Sequence, residues 1–346
     1  MMLRTLVLLL GLLPLAAAAQ PRITDPWPDP ARLPPVAAEQ VSFPSSSPFG
    51  PSDAGTPNAP PATAKATLFL PPGTHGPGTV PAVVMLHGAA GNIPGRGGTY
   101  GPQLASLGVA VLVVDTFGSR PDLGGSFNQR LLNITETMFV ADAYAGLRFL
   151  ASRPEIDRRH VVLAGFSYGG MATMYALYAQ TADRFVPPDL RFAGHVAFYG
   201  PCIARFDDSR ATGAPLLMLY GAGDELIRPD RCAQVAQDFR AGGSTVDIAS
   251  YPGAVHQWDG GLPRMLIGRN LSACSFRVDR QGRIHDAGSG VAMSGPVTRR
   301  ALLLFCVSSD PYPIGRDDVV RAQSNRDFGR FLAAVFGRPN AALKGS

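Results

Sequence analysis

Leu163-Ala164-Gly165-Phe166-Ser167-Tyr168-Gly169-Gly170 stands where a short apolar run, 161–164, gives way to a helical pattern that begins at Tyr168. A Gly-x-Ser-x-Gly at a strand-to-helix junction is a sharp turn that lifts a serine hydroxyl above the end of a sheet. Gly165 and Gly169 lack the β-carbon that would crowd such a turn, and the helix start adds a positive dipole for developing negative charge. The same pattern also arises as a plain structural turn in glycine-rich chains. Its position between a strand and a helix favours the chemical reading.

Outward from this turn, short runs rich in Val, Leu and Ile recur at 66–70, 82–86, 109–114, 161–164, 196–199, 216–220 and 246–250, which predicts strands. Helices are predicted at 131–151, 168–181, 230–241 and 320–336. Alternation of this kind implies one α/β domain, 64–346, built on a mostly parallel sheet with helices on both faces. Residues 20–63 hold 12 of the 32 prolines and read as a lead-in arm without regular structure. Residues 260–316, rich in Gly, Ser and Arg, read as an insertion before the C-terminal helix.

A serine hydroxyl is a poor nucleophile at neutral pH and needs a base held by an acid. The chain supplies both in order. Gly221-Ala222-Gly223-Asp224-Glu225 follows the run at 216–220, and Tyr251-Pro252-Gly253-Ala254-Val255-His256-Gln257-Trp258 follows the run at 246–250. Asp224 is therefore the candidate acid, with Glu225 the competing carboxylate, and His256 the candidate base. Of the other five histidines, His75 lies in a Pro/Gly loop and His285 in the insertion, while His160 and His195 start strands and read as structural. His87, in Met85-Leu86-His87-Gly88-Ala89-Ala90-Gly91-Asn92, reads as a residue that holds its loop by hydrogen bonding. The backbone N–H groups of Ala89 and Tyr168 are the candidate oxyanion donors. Arg120 and Trp258 are candidate substrate contacts, the first for a carboxylate and the second as a stacking wall.

The remaining features bound the setting. Lys and Arg number 31 against 26 Asp and Glu, with no run of like charges, so a nucleic-acid partner is not implied. Arg4, the apolar stretch at 6–15 and the alanines at 16–19 predict a signal peptide over 1–19, hence an exported protein, periplasmic or extracellular. An apolar run that short does not span a bilayer. In an oxidising compartment Cys202, Cys232, Cys274 and Cys306 predict two disulfides, among three possible connectivities. The local solution pairs Cys202 with Cys232 and Cys274 with Cys306. No metal-binding or phosphate-cradling motif is present, and no cofactor is expected.

Over roughly 64–260 and the last helix, the chain resembles the dienelactone hydrolase family of α/β-hydrolases. The resemblance rests on Leu86-His87-Gly88, Asp115-Thr116-Phe117-Gly118-Ser119-Arg120, Gly165-Phe166-Ser167-Tyr168-Gly169-Gly170, Gly223-Asp224 and Tyr251-Pro252-Gly253-Ala254-Val255-His256. It implies Ser167 as nucleophile, Asp224 as acid and His256 as base. The namesake enzymes carry a cysteine where this chain has Ser167, and they lack its export signal, arm and insertion. The expectation is thus a serine hydrolase of small to medium esters. The alternatives are an exported peptidase of the prolyl-oligopeptidase type, whose elbow is similar, and a binding protein that kept the fold without the reaction. Oligomeric state is not legible.

Overall fold

The computed structural model describes residues 23, 26–93 and 95–337. The predicted signal peptide, 1–19, lies outside the described residues.

Seven of the eight strands of the central sheet grow from the apolar runs. In chain order the strands are β1 (Ala38–Ser46), β2 (Pro61–Phe69), β3 (Val80–Leu86), β4 (Ala110–Val114), β5 (Ile156–Phe166), β6 (Gly194–Phe198), β7 (Ala204–Phe206), β8 (Leu216–Gly221) and β9 (Val246–Tyr251). All but β7 form one eight-stranded sheet in the order β1-β2-β4-β3-β5-β6-β8-β9. The pairs β1/β2 and β2/β4 are antiparallel, and every other pair is parallel. Strand β3 explains why its run is continuous rather than alternating: Ala82, Val84 and Leu86 face one core, Val83 and Met85 the other.

The helices are α1 (Gly97–Ser106), α2 (Phe127–Asn133), α3 (Glu136–Ala151), α4 (Tyr168–Leu177), α5 (Ala179–Ala182), α6 (Pro229–Ala241), α7 (Pro296–Cys306) and α8 (Asp318–Phe336). Helices α3, α4 and α6 cover one face of the sheet, and α1 and α8 the other. The connections between parallel strands thereby bury both faces, and the strand ends at Leu86, Phe166, Gly221 and Tyr251 open toward one rim.

Three features depart from the sequence reading. First, the stretch 20–63 is not an arm without regular structure, because β1 is the edge strand of the main sheet and β2 already begins at Pro61. Pro44 is compatible with β1 because an edge strand can leave one N–H side unpaired. The domain therefore begins before residue 64. Second, the helix expected at 131–151 is broken at Ile134 and Thr135 into α2 and α3, and the one expected at 168–181 is broken at Tyr178 into α4 and α5. Third, α1 starts inside Gly95-Arg96-Gly97-Gly98, outside every predicted helix. Its backbone lies so close to the sheet that a β-carbon on Gly101 would sit 2.5 Å from the Phe69 ring. The glycines that permit this approach also erase the helical sequence pattern.

Residues 260–316 carry four short strands besides α7: β10 (Met265–Ile267), β11 (Phe276–Val278), β12 (Ile284–Asp286) and β13 (Tyr312–Ile314). Strand β10 pairs with β13, and β11 joins β12 and β7. Both disulfides follow the local pairing: Cys202 with Cys232 and Cys274 with Cys306. The second staples the insertion to itself. The first ties the segment after β6 to α6. Among the described residues, no helix is long and apolar enough to cross a membrane.

Candidate active site

Strand β5 ends at Phe166 and α4 begins at Tyr168, so Ser167 alone makes the turn. It does so with φ 53° and ψ −109°, a region that L-residues seldom occupy. The turn closes because its neighbours have no side chains. A β-carbon on Gly165 would lie 2.1 Å from the Gly169 carbonyl oxygen, and one on Gly169 would lie 2.6 Å from that of His87. The hydroxyl is thereby set at the sheet's rim, at the N-terminus of α4.

Two loops from neighbouring strands meet it there. The Ser167 hydroxyl lies 2.9 Å from Nε2 of His256, in the loop after β9, and Nδ1 of His256 lies 2.7 Å from Oδ2 of Asp224, in the loop after β8. A carboxylate can only accept, so Nδ1 carries the proton and Nε2 is left to accept from the hydroxyl. The other oxygen, Oδ1, accepts from the Leu226 backbone N–H at 3.0 Å. Both side chains are buried. Glu225, the competing carboxylate, is exposed.

Ala89 sits in the turn after β3, closed by Gly91 N–H donating to the Gly88 carbonyl at 3.0 Å. Tyr168 is the first residue of α4, so its N–H has no acceptor within the helix. Both border the same cavity as Ser167 and His256. His87 points away from the chemistry. Its Nδ1 donates to the Gly88 carbonyl at 2.8 Å, its ring packs between Phe117 and Phe139, and burial pushes its pKa down, so it stays neutral and holds the loop.

This arrangement is matched at the sequence level: the profile described as "Dienelactone hydrolase family" aligns with residues 65–263, more than half of the chain. The chain belongs to the dienelactone hydrolase family. It is a family of hydrolases, and the matched residues carry Ser167, Asp224 and His256. No curated protein matched closely enough to count as a relative. Among solved structures, a dienelactone hydrolase-like promiscuous phosphotriesterase, P91, from metagenomic libraries aligns over 86% of this chain and 99% of its own at 18% identity and TM-score 0.51. A Klebsiella pneumoniae subsp. pneumoniae MGH 78578 protein assigned as a dienelactone hydrolase aligns over 63% and 88% at 20% identity and TM-score 0.45. The first of these likenesses shows the shared fold.

Two expected substrate contacts are corrected. Arg120 is buried in this family member: its guanidinium grips Asp142 at 2.6 and 2.9 Å and donates to the Ser46 carbonyl at 2.7 Å and the Ser47 hydroxyl at 2.9 Å. It ties the end of β1 to α3 and does not border the cavity. Trp258 is fully buried behind His256, where its indole N–H donates to Ser324 of α8 at 3.0 Å. Its ring packs on Tyr199 and Tyr251 and so steadies the histidine loop from beneath.

Several residues that complete the site had no sequence signal. Tyr199, after β6, packs edge-on against the His256 ring at 4.7 Å and donates its hydroxyl to Asp259. Asp259 also pairs with Arg96 at 3.2 Å, so α1 braces the histidine loop through a fully buried carboxylate. Burial opposes the Arg96 charge, but Asp259 outweighs it and raises the pKa. From the insertion, the end of β13 accepts the histidine loop: Gly315 N–H donates to the His256 carbonyl at 2.9 Å.

The cavity has a volume of about 1060 Å³ and is walled by α2, α4, α7 and the strands of the insertion, with Leu131, Met171, Ile267, Met293 and Leu303 among its apolar lining. It is large for a small-molecule site. Arg299 of α7 reaches its wall but has no donor to spare. It donates to both oxygens of Glu136, to the Leu131 carbonyl and to the Tyr168 hydroxyl, all at 2.9–3.0 Å. Among the described residues, no group of three or more His, Cys, Asp or Glu side chains is arranged to hold a metal ion.

Proposed function

We propose that this protein is a serine hydrolase of carboxylic esters that works through an acyl-enzyme. The observation that carries the reading is the unbroken chain of contacts from the Ser167 hydroxyl to His256 Nε2, and from His256 Nδ1 to Asp224, at the edge of an apolar cavity. As the serine oxygen attacks the ester carbonyl carbon, its proton passes to Nε2, and Asp224 stabilises the imidazolium formed. The carbonyl oxygen becomes an oxyanion facing the N–H groups of Ala89 and Tyr168, each of which is worth about 3–4 kcal/mol in comparable sites. Collapse breaks the bond to the leaving alkoxide, which takes the proton from Nε2. Water, deprotonated by His256, then attacks the acyl carbon; the bond to the Ser167 oxygen breaks, that oxygen takes the proton back from Nε2, and the carboxylic acid leaves. No step needs a cofactor.

The apolar lining supports small to medium substrates with an apolar acyl or alcohol part. The two disulfides support an exported protein, periplasmic or extracellular, because such bonds persist in oxidising compartments.

The test is a fluorophosphonate label on the mature protein beside Ser167→Ala and His256→Ala, followed by p-nitrophenyl esters of increasing chain length and a matched peptide p-nitroanilide. Labelling and ester turnover absent in both variants are expected. Labelling that survives Ser167→Ala overturns the reading, and faster cleavage of the anilide than of the ester replaces it with a peptidase.

A further inference from the structure

Helix α7 is apolar on its outer side as well as its inner one. Arg299, Leu302 and Cys306 face the protein, whereas Val297, Leu304 and Phe305 are 83%, 73% and 90% exposed. Those three positions, with exposed Ala301, repeat at the spacing of one helical face. A soluble helix normally presents polar residues there. Nine large hydrophobic residues are exposed among the described residues, and seven of them lie within 260–316, about one-sixth of the sequence. Scattered exposed side chains need no explanation, but a concentration of this kind marks an interaction surface.

The surface is continuous with the mouth of the cavity. Leu262 and Leu304 are both exposed and both border the cavity that holds Ser167 and His256. Its charge is one-sided as well. Residues 260–316 contain eight arginines against three aspartates. Arg299 is consumed by Glu136 and Arg277 by Asp207, while Arg264, Arg269 and Arg300 are exposed and make no ion pair among the described residues. Arg269 lies over the Phe127 ring at 4.7 Å, which leaves Arg264 and Arg300 as the unpaired cations of the rim. An apolar face rimmed by such guanidinium groups complements a surface that is apolar inside and anionic at its boundary.

We infer that the insertion is a docking surface for an aggregated, negatively charged lipid phase, from which apolar esters enter the cavity past Leu262 and Leu304. The inference rests on the ester-hydrolase reading for its chemistry, though the docking itself does not. A second copy of this chain fits less well. A two-fold contact through this face would bring the unpaired Arg264 and Arg300 of both copies into one interface, where like charges repel.

The experiment has two arms. In the first, mature Ser167→Ala protein is sedimented with phosphatidylcholine vesicles, with and without phosphatidylglycerol. In the second, the active protein hydrolyses tributyrin below and above its solubility limit, with p-nitrophenyl butyrate as the dissolved ester. Binding to the anionic vesicles and a rise in rate once tributyrin forms droplets are expected. The double variant Val297→Ser/Phe305→Ser, whose residues do not border the cavity, should lose both by roughly tenfold or more and keep its rate on the dissolved ester. Arg264→Gln should weaken binding to anionic vesicles alone.

Absence of vesicle binding overturns the inference. So does binding that is indifferent to Val297→Ser/Phe305→Ser, or a solution dimer that this variant dissociates. Failure of the fluorophosphonate label and of the dissolved-ester assay would sink the catalytic reading instead, and the vesicle arm would still report on the surface.

Discussion

Arg299, on the insertion helix α7, donates a 3.0 Å hydrogen bond to the phenolic oxygen of Tyr168, the residue immediately after Ser167 in the chain. The Tyr168 hydroxyl passes its own proton to the Ile134 carbonyl at 2.8 Å, in the break between α2 and α3. The insertion is therefore not a cap resting on a finished site. It shares a buried network with the elbow itself, and the backbone N–H proposed to receive the oxyanion belongs to the residue being held.

Removing one partner of that network should be worse than removing two. Arg299→Met leaves the Glu136 carboxylate buried without its partner and should cost about 3–5 kcal/mol in urea unfolding. Arg299→Met combined with Glu136→Leu removes both charges and should recover at least half of that loss. In the double variant, fluorophosphonate labelling should still slow by roughly tenfold, because Tyr168 has lost its tie to α7. A double variant as unstable as the single one would show that the pair does not act as a unit.

Acid should destabilise the protein through a histidine far from the chemistry. His195, in β6, is fully buried, donates from Nδ1 to the Thr173 carbonyl at 3.0 Å and has no partner at Nε2. Burial pushes its pKa down to about 4, against the smaller upward pull of that carbonyl. The unfolded chain, with a histidine pKa of about 6.5, binds this proton first. The stabilising contribution is thus complete above pH 6.5 and is lost as pH falls toward 4, by about 3 kcal/mol in all. Unfolding free energies measured across that window should fall less steeply in His195→Leu. Equal slopes in the two proteins would assign the acid sensitivity elsewhere, His87 being the next buried candidate.

What the sequence made legible follows from locality. Strands buried on both faces must be apolar throughout, as β3, β4 and β6 are, and all seven runs from 66–70 to 246–250 fell on strands of the main sheet. The elbow, Asp224 and His256 were legible because each ends a strand and carries its glycines beside it. Helix α1 was hidden by the very glycines that let it approach Phe69, and β1 by prolines that an edge strand tolerates. Arg299, Glu136, Tyr199 and Asp259 act through contacts as much as 163 residues apart in the chain, such as Arg299 with Glu136 and Arg96 with Asp259. No spacing rule reaches that far. Arg120 and Trp258 sit beside the right motifs but point inward, and a one-dimensional pattern does not carry that information.

The burial of Arg120 makes a prediction opposite to that of a substrate contact. Arg120→Lys keeps the charge but cannot grip both oxygens of Asp142 while also reaching Ser46 and Ser47. It should lower stability by about 1–3 kcal/mol, the range for leaving buried hydrogen-bonding groups unsatisfied. KM should stay the same for neutral esters and for esters bearing a free carboxylate. A KM raised only for the carboxylate-bearing ester would return Arg120 to the site.

The two disulfides close loops of similar size, with separations of 30 and 32 residues, so the chain-entropy argument assigns each about 3–4 kcal/mol. Their surroundings differ. Cys202 and Cys232 sit in the core shared by α4, α6, β6 and β8, so Cys202→Ala/Cys232→Ala should lower the midpoint of the whole cooperative transition. Cys306 is only half-buried at the end of α7, and its bond to Cys274 joins two parts of the insertion. Cys274→Ala/Cys306→Ala should therefore open the insertion before the sheet. Limited proteolysis at neutral pH should cut this variant first within 260–316 while the main unfolding transition moves less than in the other pair. Should both pairs shift the transition equally, with no early cut in the insertion, then 260–316 unfolds together with the sheet, and the tie between Arg299 and Tyr168 is strong enough to couple them without the disulfide.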